Sequence, residues 1–170
     1  TPSLTKSASR QRSNLAIQNL ELAIREEINP IMDNIRIQAV KQADSAQVLE
    51  LYRLAGWWQT DDNPSYLDMV QGIIEKTHCF VIATLGDRII GMGRAISDGV
   101  SDAYIQDVTV HPDLRGQGIG KAIIGKLVER LKADGLQWIG LISEPGYQGF
   151  YSSLGFAEMT GYTPFLLVQD

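Results

Sequence analysis

The stretch RGQGIGKAIIGKLVERL, from Arg115 to Leu131, sets alternating glycines directly before an apolar helical pattern. Helix N-termini leave backbone N–H groups unpaired and carry the positive end of the helix dipole, so a bare backbone there lets phosphate oxygens approach. Gly116, Gly118 and Gly120 accept backbone angles or close approaches that a Cβ would forbid. The stretch therefore predicts a strand-to-helix turn that holds a diphosphate. An ordinary turn, with Gly120 needed only for close packing, is the alternative.

Two familiar nucleotide-binding loops do not fit this stretch. The pattern G-x-x-x-x-G-K-[ST] is absent because Lys121 is followed by Ala122. A Rossmann G-x-G-x-x-G would need a glycine at position 121 or 123, where the chain has lysine and isoleucine. The pattern indicates a phosphate-binding turn of another kind.

Strand and helix patterns alternate along the rest of the chain. Periodicity and turn residues predict, in order, the strand IRIQAV, the helix ADSAQVLELYRLAG, a helix over 65–76, the hairpin HCFVIATL and RIIGMGRAIS, the strand AYIQDVTV, the glycine turn with its helix, the strand LQWIGLIS, a short helix near 148–154 and a final strand, PFLLV. This order mixes hairpins with crossover units. It predicts an α/β (α+β) fold, a sheet with helices on both faces.

Composition narrows the class of protein. The 170 residues are one domain's length, and 44% of them are hydrophobic, which is enough for a substantial core. The net charge of -5 predicts no nucleic-acid partner. The absence of a long apolar run predicts no membrane partner, and we expect a cytoplasmic protein, with an organellar stroma or matrix as the alternative. The single cysteine, Cys79, lies in an apolar run and is expected to pack in the core.

The first 31 residues differ from the rest. Residues 1–13 suit a flexible arm, and NLAIQNLELAIREEINP spaces its isoleucines and leucines as one amphipathic helix that ends before Pro30. We expect residues 1–31 to form an extension that packs on the domain or on a second subunit. Residues 32–170 are expected to form the domain itself.

Two separated motifs resemble those of the GCN5-related N-acetyltransferase (GNAT) superfamily. Residues 115–120, RGQGIG, resemble its signature R/Q-x-x-G-x-G/A, and FYSSLGF, 150–156, resembles its second motif. The predicted order of elements matches that family from about Ile35 to Val168. The resemblance implies the GNAT fold, with a mixed, mostly antiparallel central sheet. It also implies acetyl-CoA as acetyl donor, and no metal is expected.

The resemblance implies a set of donor-binding residues. The backbone of Val108, Thr109 and Val110 would pair with the pantetheine arm, which would extend the sheet like an extra strand. In the alternative, these residues pair with another strand of the protein. The diphosphate would lie on the turn formed by Arg115, Gly116, Gln117, Gly118, Ile119, Gly120 and Lys121. Arg115 would add a charge-assisted contact, with a solvated surface arginine as the alternative.

The resemblance also implies a catalytic acid, but it does not assign the general base. Tyr151 stands where the family commonly has a tyrosine near the sulfur, and its phenol can donate a proton. Some relatives carry a glutamate or histidine where this chain has Gln106, which cannot take a proton. Asp107 is adjacent, but neighbouring strand residues are expected to point to opposite faces. Glu144, after the strand WIGLIS, is the other candidate base, and either carboxylate would act directly or through water.

The loop GWWQTDDNP corresponds to one wall of the acceptor site in this family. Trp57 and Trp58 offer stacking or cation-π surface, and Asp61 with Asp62 would attract an ammonium group. In the alternative, one tryptophan packs in the core and the aspartates cap the helix after Pro64.

Three functions are consistent with the sequence. The first is acetyl transfer to a primary amine of a small molecule. In that case Gln106 is expected to be one of the residues that bind the acceptor. The second is acetylation of a protein N-terminus or lysine, and the third is a noncatalytic acyl-CoA binding or sensing module. Because proteins of this family often pair, a homodimer that involves residues 14–29 is also expected.

Overall fold

A single sheet organises the residues that the computed structural model describes, 34–61 and 63–168. Its strands stand in the order β1-β2-β3-β4-β5. They are Ile35–Val40 (β1), Cys79–Leu85 (β2), Arg88–Ser97 (β3), Asp102–Val110 (β4) and Trp138–Leu141 (β5). The β2–β3 and β3–β4 pairs are antiparallel, and the β4–β5 pair is parallel. The extension over 1–31, its predicted helix and the proposed boundary at 32 lie outside the described residues.

The described residues include four α-helices, of which the first three lie between strands and the fourth follows β5. They are Ser45–Leu54 (α1), Ser65–Lys76 (α2), Ile119–Ala133 (α3) and Gln148–Ser152 (α4). The side chain of Asp44 caps α1 by accepting hydrogen bonds from the backbone N–H groups of Ala46 and Gln47. None of these helices is both long and apolar enough to cross a membrane.

Helices pack on both faces of the sheet because successive side chains of a strand point to opposite sides. Met92 of β3 joins the core that α1 and α2 form with the sheet. The next residue, Gly93, faces α3, and a Cβ added there would lie 2.8 Å from Cγ2 of Ile123 and 3.2 Å from Cδ1 of Leu127. The predicted fold class, a mostly antiparallel mixed sheet with helices on both faces, is therefore confirmed.

A β-bulge interrupts β4 on its β3 side. Arg94 pairs with Gln106, but Met92 pairs with Thr109, so two residues of β4 stand opposite Gly93 alone. One of the two is Asp107, which has a φ of 54°, the only positive φ of a non-glycine residue in the described part of the chain. The bulge changes the register of Thr109 and Val110, the last two residues of β4.

The predicted final strand, PFLLV, is not formed. No residue from 153 to 168 is in a helix or strand, and Phe165, Leu166, Leu167 and Val168 are between 83% and 93% exposed. The prediction was wrong because a run of apolar residues becomes a strand only where another strand edge pairs with it. Within the described residues, β5 pairs with β4 alone.

Candidate active site

Strands β4 and β5 separate halfway along β4. Their pairing runs from Asp102 with Trp138 to Ile105 with Leu141, where β5 ends. β4 continues to Val110 with only β3 as its partner in the described chain. The edge of β4 over 106–110 that faces away from β3 thus presents N–H and C=O groups to a cleft. The predicted contact of Val108, Thr109 and Val110 with a pantetheine arm stays a prediction, and this geometry permits it.

The glycine turn leads from β4 to the N-terminus of α3. Gly116 and Gly118 have φ values of 76° and 84°, and Gly118 is the N-cap residue of α3, with no side chain capping the helix. The first helical hydrogen bond runs from the N–H of Ala122 to the carbonyl of Gly118. The N–H groups that precede it, at 119–121, therefore have no partner in the helix.

The glycines of this turn serve different purposes. A Cβ at Gly116 or Gly118 would meet no atom within 4 Å, so backbone conformation and not crowding requires glycine there. A Cβ at Gly120 would meet Cζ of Phe150 at 3.6 Å and Cγ2 of Val110 at 3.8 Å, which are ordinary contacts. Close packing therefore does not require Gly120.

Polar side chains surround the same turn. Arg115 donates from Nε to the carbonyl of Val110 at 3.0 Å, which ties the turn to the end of β4 and makes Arg115 more than a solvated surface residue. Lys121 is exposed in the first turn of α3. Oε1 of Gln117 is buried, and no hydrogen-bond partner for it exists among the described residues. A buried polar atom without a partner is costly, so this turn is suited to a polar ligand.

We predict that Gly118→Ala lowers the free energy of unfolding by about 1 kcal/mol, because an L side chain at this positive φ is strained. Gly125→Ala, in the exposed middle of α3 with no atom within 4 Å of the added Cβ, is the matched control. The control should raise the free energy of unfolding by about 0.5–1 kcal/mol, since alanine favours a helix over glycine. Urea unfolding of both variants measures the difference, and equal shifts would contradict the role assigned to Gly118.

Tyr151 lies on α4 with its ring among aromatic neighbours. The ring centroids of Phe150 and Phe156 lie 5.1 and 6.1 Å away, both nearly edge-on. Burial raises the pKa of Tyr151, and the nearby Tyr147 and Glu144 raise it further. The phenol consequently keeps its proton at neutral pH and can act as a donor but not as a base.

Glu144 and Trp57 meet across the cleft. The indole Nε1 of Trp57, in the loop after α1, donates to Oε1 of Glu144 at 3.4 Å. Trp57 is 40% exposed, and the Glu144 carboxylate is close enough to raise the pKa of Tyr151. Three residues predicted from separate parts of the sequence are thus brought together.

Trp58 and Asp61 have other partners within the fold. Trp58 stacks on Tyr52 at 4.6 Å between ring centroids and contacts Tyr66 at 5.4 Å. The Asp61 side chain accepts a hydrogen bond from the Tyr66 hydroxyl, which raises the pKa of Tyr66. Asn63 accepts the hydrogen bond of the Ser65 N–H at the start of α2. Asp62 lies outside the described residues, and acceptor binding by Trp58 and Asp61 stays a prediction.

Simple alternation along the strand predicts that the side chains of Gln106 and Asp107 point to opposite faces. The structure contradicts this prediction. Both accept hydrogen bonds from Arg94, whose Nε donates to Oδ2 of Asp107 at 2.5 Å and whose Nη2 donates to Oε1 of Gln106 at 3.2 Å. The positive φ of Asp107 at the bulge is the reason, because it breaks the alternation of the strand. The Tyr52 hydroxyl also donates to Oδ2 of Asp107, at 2.8 Å.

Sequence reasoning missed Arg94 and Tyr52. Neither belongs to a motif, and the only available signal was a charged residue at position 94 in the otherwise uncharged run IIGMGRAIS. Burial raises the pKa of Tyr52, and the negative charge of Asp107 raises it further, so the Tyr52 hydroxyl stays protonated and donates. Among residues 34–61 and 63–168, no group of three or more histidine, cysteine or acidic side chains is arranged to hold a metal ion.

The family model described as "Acetyltransferase (GNAT) family" matches residues 42–156, which is more than half of the chain. The chain belongs to this family. A GNAT family acetyltransferase from Streptococcus pneumoniae has the same fold, with a TM-score of 0.68 and 25% identity over 79% of this chain and 98% of that one. The matched segment includes the bulge, the glycine turn and Tyr151.

Two curated relatives match a shorter segment. The chain is 41% identical over 71 residues to "Uncharacterized N-acetyltransferase ycf52" of Pyropia yezoensis, across 42% of this chain and 41% of that protein. It is 43% identical over 70 residues to "Serotonin N-acetyltransferase 2, chloroplastic" of Oryza sativa, across 41% of this chain and 35% of that protein. The match therefore spans about two fifths of these relatives or less.

Proposed function

We propose that this chain is an acetyl-CoA-dependent N-acetyltransferase that acts on a primary amine of a small molecule. The observation that carries the proposal is the open edge of β4, which is followed, after a short 3-10 helix at Pro112–Leu114 and the glycine turn, by the N-terminus of α3 with no side-chain cap. The edge of β4 offers backbone N–H and C=O groups to an extended arm that contains amides, and the N-terminus of α3 offers N–H groups to a diphosphate. Membership of the GNAT family supports the same assignment.

The residues present fit the donor. The backbone of 108–110 would pair with the pantetheine amides, and the N–H groups of 119–121 would face the diphosphate, with Lys121 and Arg115 supplying positive charge. The buried Oε1 of Gln117 is an acceptor without a partner among the described residues, so it would take an N–H or O–H group of the donor molecule and not a phosphate oxygen. Acetyl-CoA supplies an activated thioester carbonyl, and a β4 N–H at the cleft would donate to its oxygen.

Tyr151 and Glu144 divide the proton transfers. We assign Tyr151 as the acid that protonates the departing thiolate, because its raised pKa keeps the phenol protonated. We assign Glu144 as the base that takes the proton of the amine, directly or through water, while Trp57 holds its carboxylate. Asp107 is the weaker candidate, since its Oδ2 already accepts hydrogen bonds from Arg94 and Tyr52.

The acceptor is an amine that carries an apolar or aromatic group. The exposed indole of Trp57 offers a stacking face beside the Glu144 carboxylate, which attracts an ammonium group. The rice relative is named for serotonin, an aromatic alkylamine, which supports this class.

The proposal is tested by measuring thiol release from acetyl-CoA across a panel of aliphatic amines, aromatic alkylamines, amino-terminal peptides and lysine peptides. We expect the highest kcat/KM with an aromatic alkylamine. A higher kcat/KM with the peptides would indicate that the acceptor is a protein and not a small molecule. Acetyl-CoA binding without turnover on the whole panel would favour a binding or sensing module.

Compartment and assembly stay predictions. The word chloroplastic in the name of the rice relative supports an organellar stroma over the cytoplasm. A homodimer through residues 14–29 would depend on a segment outside the described residues.

A further inference from the structure

The backbone at Asp107 is in the left-handed region, with a φ of 54°. A non-glycine residue at a positive φ is uncommon, and such a conformation costs on the order of 1 kcal/mol or more, although aspartate tolerates it better than most residues. It persists only where surrounding contacts hold it. The side chain of Asp107 makes such contacts.

Two donors converge on one oxygen of this carboxylate. Arg94 donates from Nε and Tyr52 from its hydroxyl, both to Oδ2. The side chains of Arg94 and Asp107 are only 18% and 23% exposed, so solvent screens this ion pair less than a surface pair. Arg94 also donates to Gln106, the residue before the bulge, so one guanidinium binds both Gln106 and Asp107.

The bulge determines how the donor-facing edge of β4 is oriented. Pairing with β5 ends at Ile105, and the bulge at residues 107 and 108 follows. The edge of β4 that faces away from β3 stays unpaired within the described chain from the bulge to Val110. Because the groups of a strand alternate with a period of two, one extra residue decides which N–H and C=O groups face the cleft. Loss of the bulge would turn the backbone N–H and C=O groups of 108–110 away from acetyl-CoA.

Tyr52 extends the same arrangement to the acceptor side. Its ring stacks on Trp58 and contacts Trp57 edge-on at 6.1 Å between centroids. A single tyrosine thus touches the bulge through its hydroxyl and the Trp57–Glu144 pair through its ring.

We propose that Arg94 and Tyr52 are positioning residues which, through Asp107, fix the bulge of β4 and thereby orient the backbone that binds the thioester arm. The expected effect on catalysis rests on the proposed function. The contacts that fix the bulge are present without any ligand.

Arg94→Met and Tyr52→Phe test the proposal, the second without loss of the aromatic contacts. We expect acetyl-CoA to bind about tenfold more weakly to Arg94→Met and about threefold more weakly to Tyr52→Phe, measured by titration calorimetry. In the ligand-free protein, amide hydrogen exchange should accelerate about tenfold in Arg94→Met at 109–111, where the His111 N–H donates to the carbonyl of Ile90, relative to Val81 in β2. Arg130→Met, which breaks the exposed Arg130–Asp134 pair on α3, should change neither quantity.

Asp107→Asn separates a positioning role from a catalytic one. Asparagine tolerates a positive φ and keeps an oxygen acceptor but loses the ion pair with Arg94, so acetyl-CoA should bind about threefold more weakly, while kcat at saturating acetyl-CoA keeps the wild-type pH profile. A variant that binds acetyl-CoA normally but loses turnover would make Asp107 a catalytic base and overturn the proposal.

The outcomes also separate this inference from the proposed function. If the wild-type protein does not bind acetyl-CoA, the proposed function fails, and hydrogen exchange still decides whether Arg94 fixes the bulge. Unchanged exchange at 109–111 in both variants would overturn the inference. If Arg94→Met does not fold, Arg94→Lys, which keeps the charge but not the paired donors, takes its place in the same measurements.

Discussion

Replacing Tyr151 by phenylalanine is expected to lower kcat about a hundredfold, while the dissociation constant of acetyl-CoA stays within about twofold of wild type. The variant keeps the ring contacts with Phe150 and Phe156 and removes only the hydroxyl that we assign as proton donor to the thiolate. Single-turnover thiol release gives the chemical step, and calorimetry gives binding. Tyr162→Phe, at a side chain that is 75% exposed in the C-terminal segment, is the matched control.

The pH dependence sharpens this prediction. An acid works only while it is protonated, and burial raises the pKa of Tyr151 above its usual value of 10. The wild-type rate should therefore hold through neutral pH and fall only where the phenol ionises, above pH 10. Tyr151→Phe should lack that alkaline decline. Equal rates in the two proteins would remove Tyr151 from the mechanism and leave proton donation to water.

The second large effect is expected at Glu144. Glu144→Gln should lower kcat/KM at pH 7 by about a hundredfold, because an amide cannot take the proton of the incoming ammonium group. The loss should shrink as the pH approaches the pKa of the amine, since an amine that is already neutral needs no base before it attacks. The proton that its nitrogen then loses can replace the one that Tyr151 gives to the thiolate. Trp57 can still donate to the amide oxygen, so the loop position should be kept.

Asp107→Asn is the matched carboxylate-to-amide control for this measurement. At saturating acetyl-CoA any loss of rate in this variant should be small and equal at every pH, whereas the loss in Glu144→Gln should change with pH. A large, pH-dependent loss in Asp107→Asn with a normal rate in Glu144→Gln would exchange the roles that we assign to the two carboxylates.

The sequence predicted the parts of the fold that depend on local chemistry. The helix over 65–76 was predicted with the bounds that the structure shows, because Pro64 sets its start and apolar residues recur at helical spacing. The side chain of Asp44 forms the N-cap of α1, as is typical of an aspartate directly before a helical pattern. The positive φ at Gly116 and Gly118 likewise follows from residue type, since glycine adopts it without strain.

The features that depend on pairing between strands were not predictable in the same way. Simple alternation put Asp107 and Gln106 on opposite faces, and only the register of β4 against β3 reveals the bulge that brings both to Arg94. The strand predicted at 164–168 failed for a related reason, because its apolar residues say nothing about whether a partner edge is present. The meeting of Trp57 with Glu144 depends on the same long-range geometry.

The exposed segment from Phe165 to Val168 has a consequence for colloidal behaviour. At neutral pH the net charge of -5 keeps molecules apart by electrostatic repulsion. Near the isoelectric point of about 5.0 that repulsion vanishes, and concentrated salt screens it at any pH. Four neighbouring apolar side chains are then free to adhere to one another between molecules. Solubility should accordingly be lowest in mildly acidic, salt-rich buffer and should improve with pH.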